Sequence, residues 1–369
     1  MNTKRWALGL CGIAALTGCG SSEPSPPGED AGPSRCDAGS AQGIEVAPTD
    51  VYGGIPYALG YPPYAIDGCT LVYVARATGG GSGELRARDL ATGSERVVAP
   101  AGDEPRRPAV AGDLIVWEAT ISGKSAIRFE ASGAAGTITG SFDHASEPRA
   151  AAGAVAFTAW LGPKTTDDTD VLLFDVAAGA LTPLGAGPGQ QRFPDISTTH
   201  VVWSDFSEDP DATFDENDVD QADLVLYDRA SGKSETRKRP GKQAFATLGA
   251  PGKIAYLDWN LVHPEPKFSA YELRIGDVGA PVETDALVEH VDTLEPYVRP
   301  VARGKLLEWV AWPNGQAGLY RRAVDLATPA VRLPGLDGIS LTSPTASEAI
   351  TLIGTRTGTG VTELRAFPR

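Results

Sequence analysis

The stretch FPDISTTHVVWSD, Phe193–Asp205, followed beyond an acidic insertion by DLVLYDRASGKSETRKR, Asp223–Arg239, decides the fold. It reads as four short strands: Phe193–Ile196, His200–Asp205, Asp223–Tyr227 and Ser234–Arg239. The apolar cluster Val201-Val202-Trp203 is continuous, as in a strand buried on both faces. The Asp228-x-x-x-Gly232 that follows the third segment supplies turn chemistry for a hairpin.

The same pattern recurs along the chain. A proline stands nine residues before a bulky apolar residue in Pro108/Trp117, Pro148/Phe157, Pro194/Trp203, Pro300/Trp309 and Pro344/Ile353. Tyr64/Tyr73 and Thr247/Tyr256 are weaker copies that fill the gaps. The second members are separated by 44, 40, 46, 53, 53 and 44 residues. Asp-x-x-x-Gly returns at Asp89–Gly93 and Asp175–Gly179. A four-stranded unit of this length cannot bury its faces alone, whereas radial stacking around an axis buries them between neighbours. The expectation is an all-β chain, a β-propeller of seven blades with four antiparallel strands each; six blades is the alternative. The last repeat offers only three strands, and Ile44–Ala47 is an orphan β segment. Placing it as the fourth strand of blade seven closes the ring and removes an open edge.

These repeats resemble the TolB-like and PD40-type propeller repeats of bacterial envelope proteins, over nearly all of 44–369. The fifth copy, Gln243–Asp285, departs from the pattern. The resemblance implies a propeller but no single activity, because such folds host scaffolds, binding modules and some enzymes.

The amino terminus gives an address. Lys4 and Arg5 precede the apolar run Trp6–Leu16, too short for the roughly twenty residues of a membrane-spanning helix and shaped like an export signal. Leu16-Thr17-Gly18-Cys19 resembles the lipobox of bacterial lipoproteins, in which the peptide is cut before the cysteine and the cysteine is acylated. The organisation expected is therefore a signal peptide at 1–18, a flexible Pro/Gly/Ser/Asp tether at 19–43, and a propeller at 44–369, held to a membrane through lipid on Cys19. By the same resemblance Gly20, where inner-membrane retention calls for Asp, favours the outer membrane of the bacterial envelope. Cys11 leaves with the signal and Cys19 takes lipid. Cys36 and Cys69 remain as a disulfide in an oxidising compartment, or as two free thiols.

Composition narrows the function. Pro and Gly make up 29 + 43 = 72 of 369 residues, which favours turns over helices. The formal charge is −15, and −17 once Lys4 and Arg5 are removed, which excludes nucleic acid as a partner. Gly123-Lys124-Ser125 and Gly232-Lys233-Ser234 look like phosphate-loop tails, but Glu118 and Tyr227 stand where the first glycine belongs. There is no His-Glu-x-x-His and no Gly-x-Ser-x-Gly. The four histidines, His144, His200, His263 and His290, fall at different offsets in their repeats; His144 and His290 both precede an anchor proline and could approach one face. The insertion in blade four carries Asp205, Glu208, Asp209, Asp211, Asp215, Glu216, Asn217, Asp218, Asp220 and Asp223. Crowded oxygen donors of this kind suit Ca²⁺, with Asp215, Asn217 and Asp220 as the best ligands; the alternative is a solvated acidic loop. Thr165–Asp170 is a shorter acidic loop at the same strand junction. Arg237-Lys238-Arg239 reads as a charged edge that blocks pairing with other chains. Two functions remain open: a non-catalytic scaffold binding an envelope protein or glycan, or a polysaccharide-active enzyme, a lyase or hydrolase, on the same fold.

Overall fold

The computed structural model describes residues 36–47, 61–77, 83–151, 153–161, 168–185, 187–209, 221–259, 270–292, 298–311, 317–336, 340–356 and 362–369. They form a seven-bladed β-propeller, each blade a four-stranded antiparallel sheet, with only short 3-10 turns besides. No helix among the described residues is long and apolar enough to cross a membrane. In chain order the blades occupy Tyr64–Ala99, Arg106–Thr137, His144–Gly185, Gln191–Arg237, Lys242–Asp292, Val301–Arg332 and Ser340–Pro368, with Glu45–Val46 completing the seventh.

The nine-residue spacing is a register. Tyr64 pairs directly with Tyr73, and the ladders Ala109↔Val116, Arg149↔Ala156, Asp195↔Val202, Val301↔Glu308 and Thr345↔Leu352 put each anchor proline opposite its bulky partner. Blade five differs by one residue: Thr247 pairs with Ala255, so the position equivalent to proline is Ala246, and the turn after it is one residue longer. That extra residue makes the fifth copy look degenerate, although its four strands are all present.

Burial falls from second strand to fourth. All seven residues of Ala154–Trp160 in blade three are buried, whereas the fourth strand of blade two, Ala134–Thr137, has none buried. Trp117, Phe157, Trp203 and Tyr256 are among the largest fully buried side chains. Each contributes roughly 1.5–3 kcal/mol or more by leaving water. The Asp-x-x-x-Gly signature is the turn between third and fourth strands. Asp89 and Asp228 each accept backbone N–H bonds from the residues two and three ahead, and Asp175 accepts from Ala178. Gly93, Gly179 and Gly232 take the positive φ (63–74°) that the turn demands. The two phosphate-loop look-alikes are likewise turns: Gly123 and Gly232 lie in hairpins of blades two and four.

Arg237-Lys238-Arg239 is not an exposed edge. Arg237 is buried and forks onto both oxygens of Asp285 at 2.7 and 2.9 Å, and Arg239 Nε lies 3.0 Å from Asp258. Only Lys238 points to solvent, beside Glu208. The fourth strand of blade four lies against blade five, whose buried Asp258 and Asp285 need cationic partners.

The ring closes between the chain ends. Glu45 and Val46 pair with Glu363 and Thr362, and Gly43 and Leu364 exchange backbone bonds with Leu364 and Ile44, both 3.0 Å. Of the stretch read as tether, Cys36–Gly43 folds onto the ring: Ala41 is fully buried, and Gln42 donates to the Ala366 carbonyl at 2.9 Å. Cys36 and Cys69 are disulfide-bonded, which links this segment to blade one. Tyr64 of blade one accepts the Gly354 N–H and donates to the Ser343 carbonyl of blade seven at 3.0 Å.

Removing the chain through Ala47 deletes the closing strand, the buried Ala41 and Val46 and the cross-link. The cross-link alone, closing a loop of 33 residues, contributes about 3–4 kcal/mol in the chain-entropy model. The truncated ring is expected to melt well below the intact one by calorimetry. Equal melting temperatures would show that the ring does not depend on this closure.

Candidate functional site

The innermost strands carry a repeated irregularity. In blades two to five, two residues face one on the second strand: Arg107-Pro108, Glu147-Pro148, Phe193-Pro194 and Phe245-Ala246. These are β-bulges, which bend a strand and re-aim a side chain. The first residue of each pair has φ of 46, 59, 58 and 55°, a left-handed conformation costing roughly 1–3 kcal/mol for a non-glycine residue. Proline follows naturally, since it has no N–H to leave unpaired in the broken ladder.

The re-aimed side chains reach the next blade. Arg107 donates to Glu118 at 2.6 Å and to the Ser146 hydroxyl of blade three at 2.7 Å. Glu147 accepts from Thr158 at 2.8 Å, from the Phe193 N–H of blade four at 3.1 Å, and from Arg192. Phe193 packs on Phe245 of blade five with ring centroids 4.5 Å apart. Burial alone would push Glu118 up. The Arg107 and Arg106 guanidinium groups and the Ser146 hydroxyl outweigh it and hold the carboxyl down to about 2. Glu147 is also lowered, its burial outweighed chiefly by Arg192 and Arg107.

Two further arginines meet at Tyr61. The Arg149 and Arg299 guanidinium groups lie 4.5 and 5.4 Å from the centre of its ring, a cation–π arrangement that strengthens when desolvated. Arg299, at the entry to blade six, donates to the carbonyls of Ala246 (2.7 Å), Phe193 (3.0 Å) and Pro194 (3.1 Å), so it grips the bulges of blades four and five. Burial, helped by Arg299, pulls Arg149 down to about 10, so it stays charged at neutral pH. Burial pushes the Tyr61 hydroxyl far above its usual range.

A cavity of about 590 Å³ opens where the first and second strands turn, lined by blades one to five and by Arg303 of blade six. Ser197, Thr198 and Thr199 bring hydroxyls, His200 an imidazole, and Asp67, Asp113, Lys253 and Arg303 charge. Asp67 accepts the Gly112 N–H at 2.8 Å and pairs with Arg303 across the seam of the ring. The Ser197 hydroxyl accepts the backbone N–H of His200 at 3.0 Å, and His200 Nδ1 lies 2.9 Å from the Thr199 hydroxyl. The serine is thus oriented by backbone, not by an imidazole, and the recess offers hydrogen-bonding groups and cations on a rigid frame. It can hold a polar ligand.

Of the histidines singled out from sequence, His144 and His290 do not meet. His144 opens the first strand of blade three, 3.2 Å from the Ser125 N–H, whereas His290 is in the exposed fourth strand of blade five, 3.5 Å from Glu272. His263, Cys19, Asp215, Asn217 and Asp220 lie outside the described residues. The acidic insertion springs from Asp205 and Asp223, which face each other in the ladder. In the shorter acidic stretch, Thr169 and Asp170 belong to a strand, not a loop. No group of three His, Cys, Asp or Glu suited to a metal occurs among the described residues. The residues missed were Arg107, Glu147 and Arg299. Their signal was a charged residue directly before an anchor proline.

No protein-family model matches the chain, and no curated protein matches it in sequence. Solved structures similar to it include a β-propeller. The β-propeller domain of the Trilobed protease from Pyrococcus furiosus superposes with a TM-score of 0.59 at 13% identity, covering 82% of this chain and 93% of that one. An oligogalacturonate lyase in complex with manganese gives 0.59 at 11% identity, over 89% and 98%. TolB from Acinetobacter baumannii gives 0.48 at 16% identity, over 73% of this chain and 65% of that one, a match too loose to bear an argument. Identities this low establish the fold alone: the class is a seven-bladed β-propeller.

Two buried carboxylates give opposite pH signatures. Glu118, depressed from 4.5 to about 2, stabilises the fold above pH 4.5, and this is lost as pH falls toward 2. Asp170, raised from 3.8 to about 6 by burial and then by Asp168, carries a penalty that grows as pH rises from 3.8 through 6. Glu118→Gln is expected to cost about 3–5 kcal/mol at pH 7, because it leaves Arg107 uncompensated. Asp170→Asn is expected to gain roughly 1–3 kcal/mol at pH 7.5 and nothing at pH 3.5. Denaturant titrations of both variants at each pH check the signs.

Proposed function

We propose that the chain is a lipoprotein of the bacterial envelope, anchored through Cys19, whose propeller is a non-catalytic scaffold that binds an envelope protein or a glycan in the turn-end cavity. The observation that carries the reading is where the polar groups stand. The deeply buried carboxylates and arginines around the innermost strands are spent on one another, within and between blades, while the cavity presents the hydroxyls of Ser197, Thr198 and Thr199 beside the Lys253–Asp277 and Arg303–Asp67 pairs. Loops on a rigid frame are where binding sites usually sit. A calcium ion held by Asp215, Asn217 and Asp220 belongs to the same proposal on the warrant of sequence alone. Superposition over 98% of an oligogalacturonate lyase keeps a second reading, a polysaccharide-active enzyme.

Thr199 is exposed and lines the cavity, so Thr199→Trp fills it without touching the core. Purified wild type is expected to retain a defined envelope glycan or protein at least about tenfold better than this variant, a loss of about 1.4 kcal/mol or more. Equal retention moves the site elsewhere. Depolymerisation of the glycan by wild type replaces the scaffold with the enzyme. Palmitate labelling that survives Cys19→Ala removes the anchor.

A further inference from the structure

The segment Cys36–Ala47 is attached to the ring in two different ways. Its far end is the closing strand, Glu45–Val46, a two-residue pairing with the outer part of blade seven. Its near end is covalent: Cys36 is bonded to Cys69, in the turn between the first and second strands of blade one. We propose that this bond is a load bypass, which carries tension arriving along the amino-terminal arm directly into blade one, so that the strand closing the ring is never peeled.

The argument is one of order along the chain. Tension from any residue before Cys36 reaches Cys36 first. With the cross-link in place it passes to Cys69, in a turn fixed on several sides. The Cys69 carbonyl accepts the Leu90 N–H at 2.9 Å, and neighbouring Asp67 holds the Gly112 N–H of blade two and pairs with Arg303 of blade six. Load at this point is shared by three blades. Without the cross-link the same tension runs on to residues 42–46. There the Gln42 bond to Ala366 and the two backbone bonds joining Gly43 and Ile44 to Leu364 are met in succession. A terminal strand pulled from its end opens like a zipper, one bond at a time, and exposes the buried Ala41 and Val46 as it goes. The strand that completes blade seven is also the one nearest the arm, so whatever protects it must act before it in sequence. Cys36 does. The inference is independent of which ligand the cavity takes.

The test is single-molecule stretching of the full folded chain, with handles coupled enzymatically before Cys36 and after Arg369. The oxidised protein is expected to hold its length until whole blades unfold, with the 33 residues between the cysteines never released. Cys36→Ser/Cys69→Ser, and wild type reduced in place, are expected to show an added step at low force. That step frees the chain from 36 to Tyr61, which the Arg149 and Arg299 guanidinium groups hold, 61 − 36 = 25 residues, or up to about 8–9 nm at ~3.4 Å per residue. The reduced wild type carries the test if the serine variant fails to fold. An early step in the oxidised protein, or identical traces with and without the cross-link, overturns the proposal. So does a reduced protein already extended at zero force, because the disulfide would then be the closure itself.

Discussion

The bulge at the anchor proline governs this ring. It places a non-glycine residue in the left-handed region in four successive innermost strands, at Arg107, Glu147, Phe193 and Phe245. Such a conformation persists only where the surroundings over-determine it, and at the first three positions part of that surrounding is the next blade. Arg107 is held by Ser146, Glu147 by Arg192 and the Phe193 N–H, and Phe193 by Phe245. Arg299 then binds the carbonyls that two of the bulges turn outward. The bulge of one blade is thus held in part by its neighbour, which couples the blades rather than leaving a string of independent sheets.

Polar burial follows the same logic farther out. Glu308 of blade six accepts the Thr351 hydroxyl of blade seven at 2.6 Å and pairs with Arg321 and Arg369, while Asp285 of blade five takes Arg237 of blade four. Buried pairs of this kind add little net stability over well-packed apolar residues, yet breaking one is costly because its partner is left charged in a dry site. Between blades that are otherwise similar faces of β-branched and aromatic residues, they are suited to fixing which blade meets which. A slipped pairing would strand Asp285 or Glu308 without a cation.

The fold was legible because it is written in a period. Five prolines at fixed distance from a large apolar residue, and three Asp-x-x-x-Gly turns, are each a local necessity of the hairpin they occupy, so reading them needs no knowledge of the rest of the chain. The closing strand was legible for the complementary reason: one blade was a strand short and one β segment had no partner. What failed to show, the Cys36–Cys69 cross-link aside, was the set of side-chain interactions between blades. Arg237 and Arg239 look like surface charge in a linear reading, and only the approach of blade five, with Asp258 and Asp285, buries them. Glu118 likewise sits beside Trp117 with nothing in the sequence to indicate that Arg107 and Ser146 converge on it. The cavity is composed of turns from six blades, mostly glycine, alanine and hydroxyl residues, and such residues carry no spacing signature.

A closing strand of two residues is short for holding seven blades in a ring. Further contacts around the seam make up for it. Val46 bridges to Ala75 and the Ala47 N–H reaches the Val74 carbonyl at 2.9 Å, so the strand that completes blade seven also touches blade one. Tyr64 inserts its hydroxyl between Ser343 and Gly354, and Asp67 pairs with Arg303, spanning from blade one to blade six past blade seven. Each contact is modest alone, since a single hydrogen bond nets about 1 kcal/mol. They nevertheless act in parallel on one relative displacement, the opening of blade one from blade seven, so that displacement must break all of them together. Closure therefore resides in the whole seam, and the short strand serves chiefly to satisfy the last backbone edge.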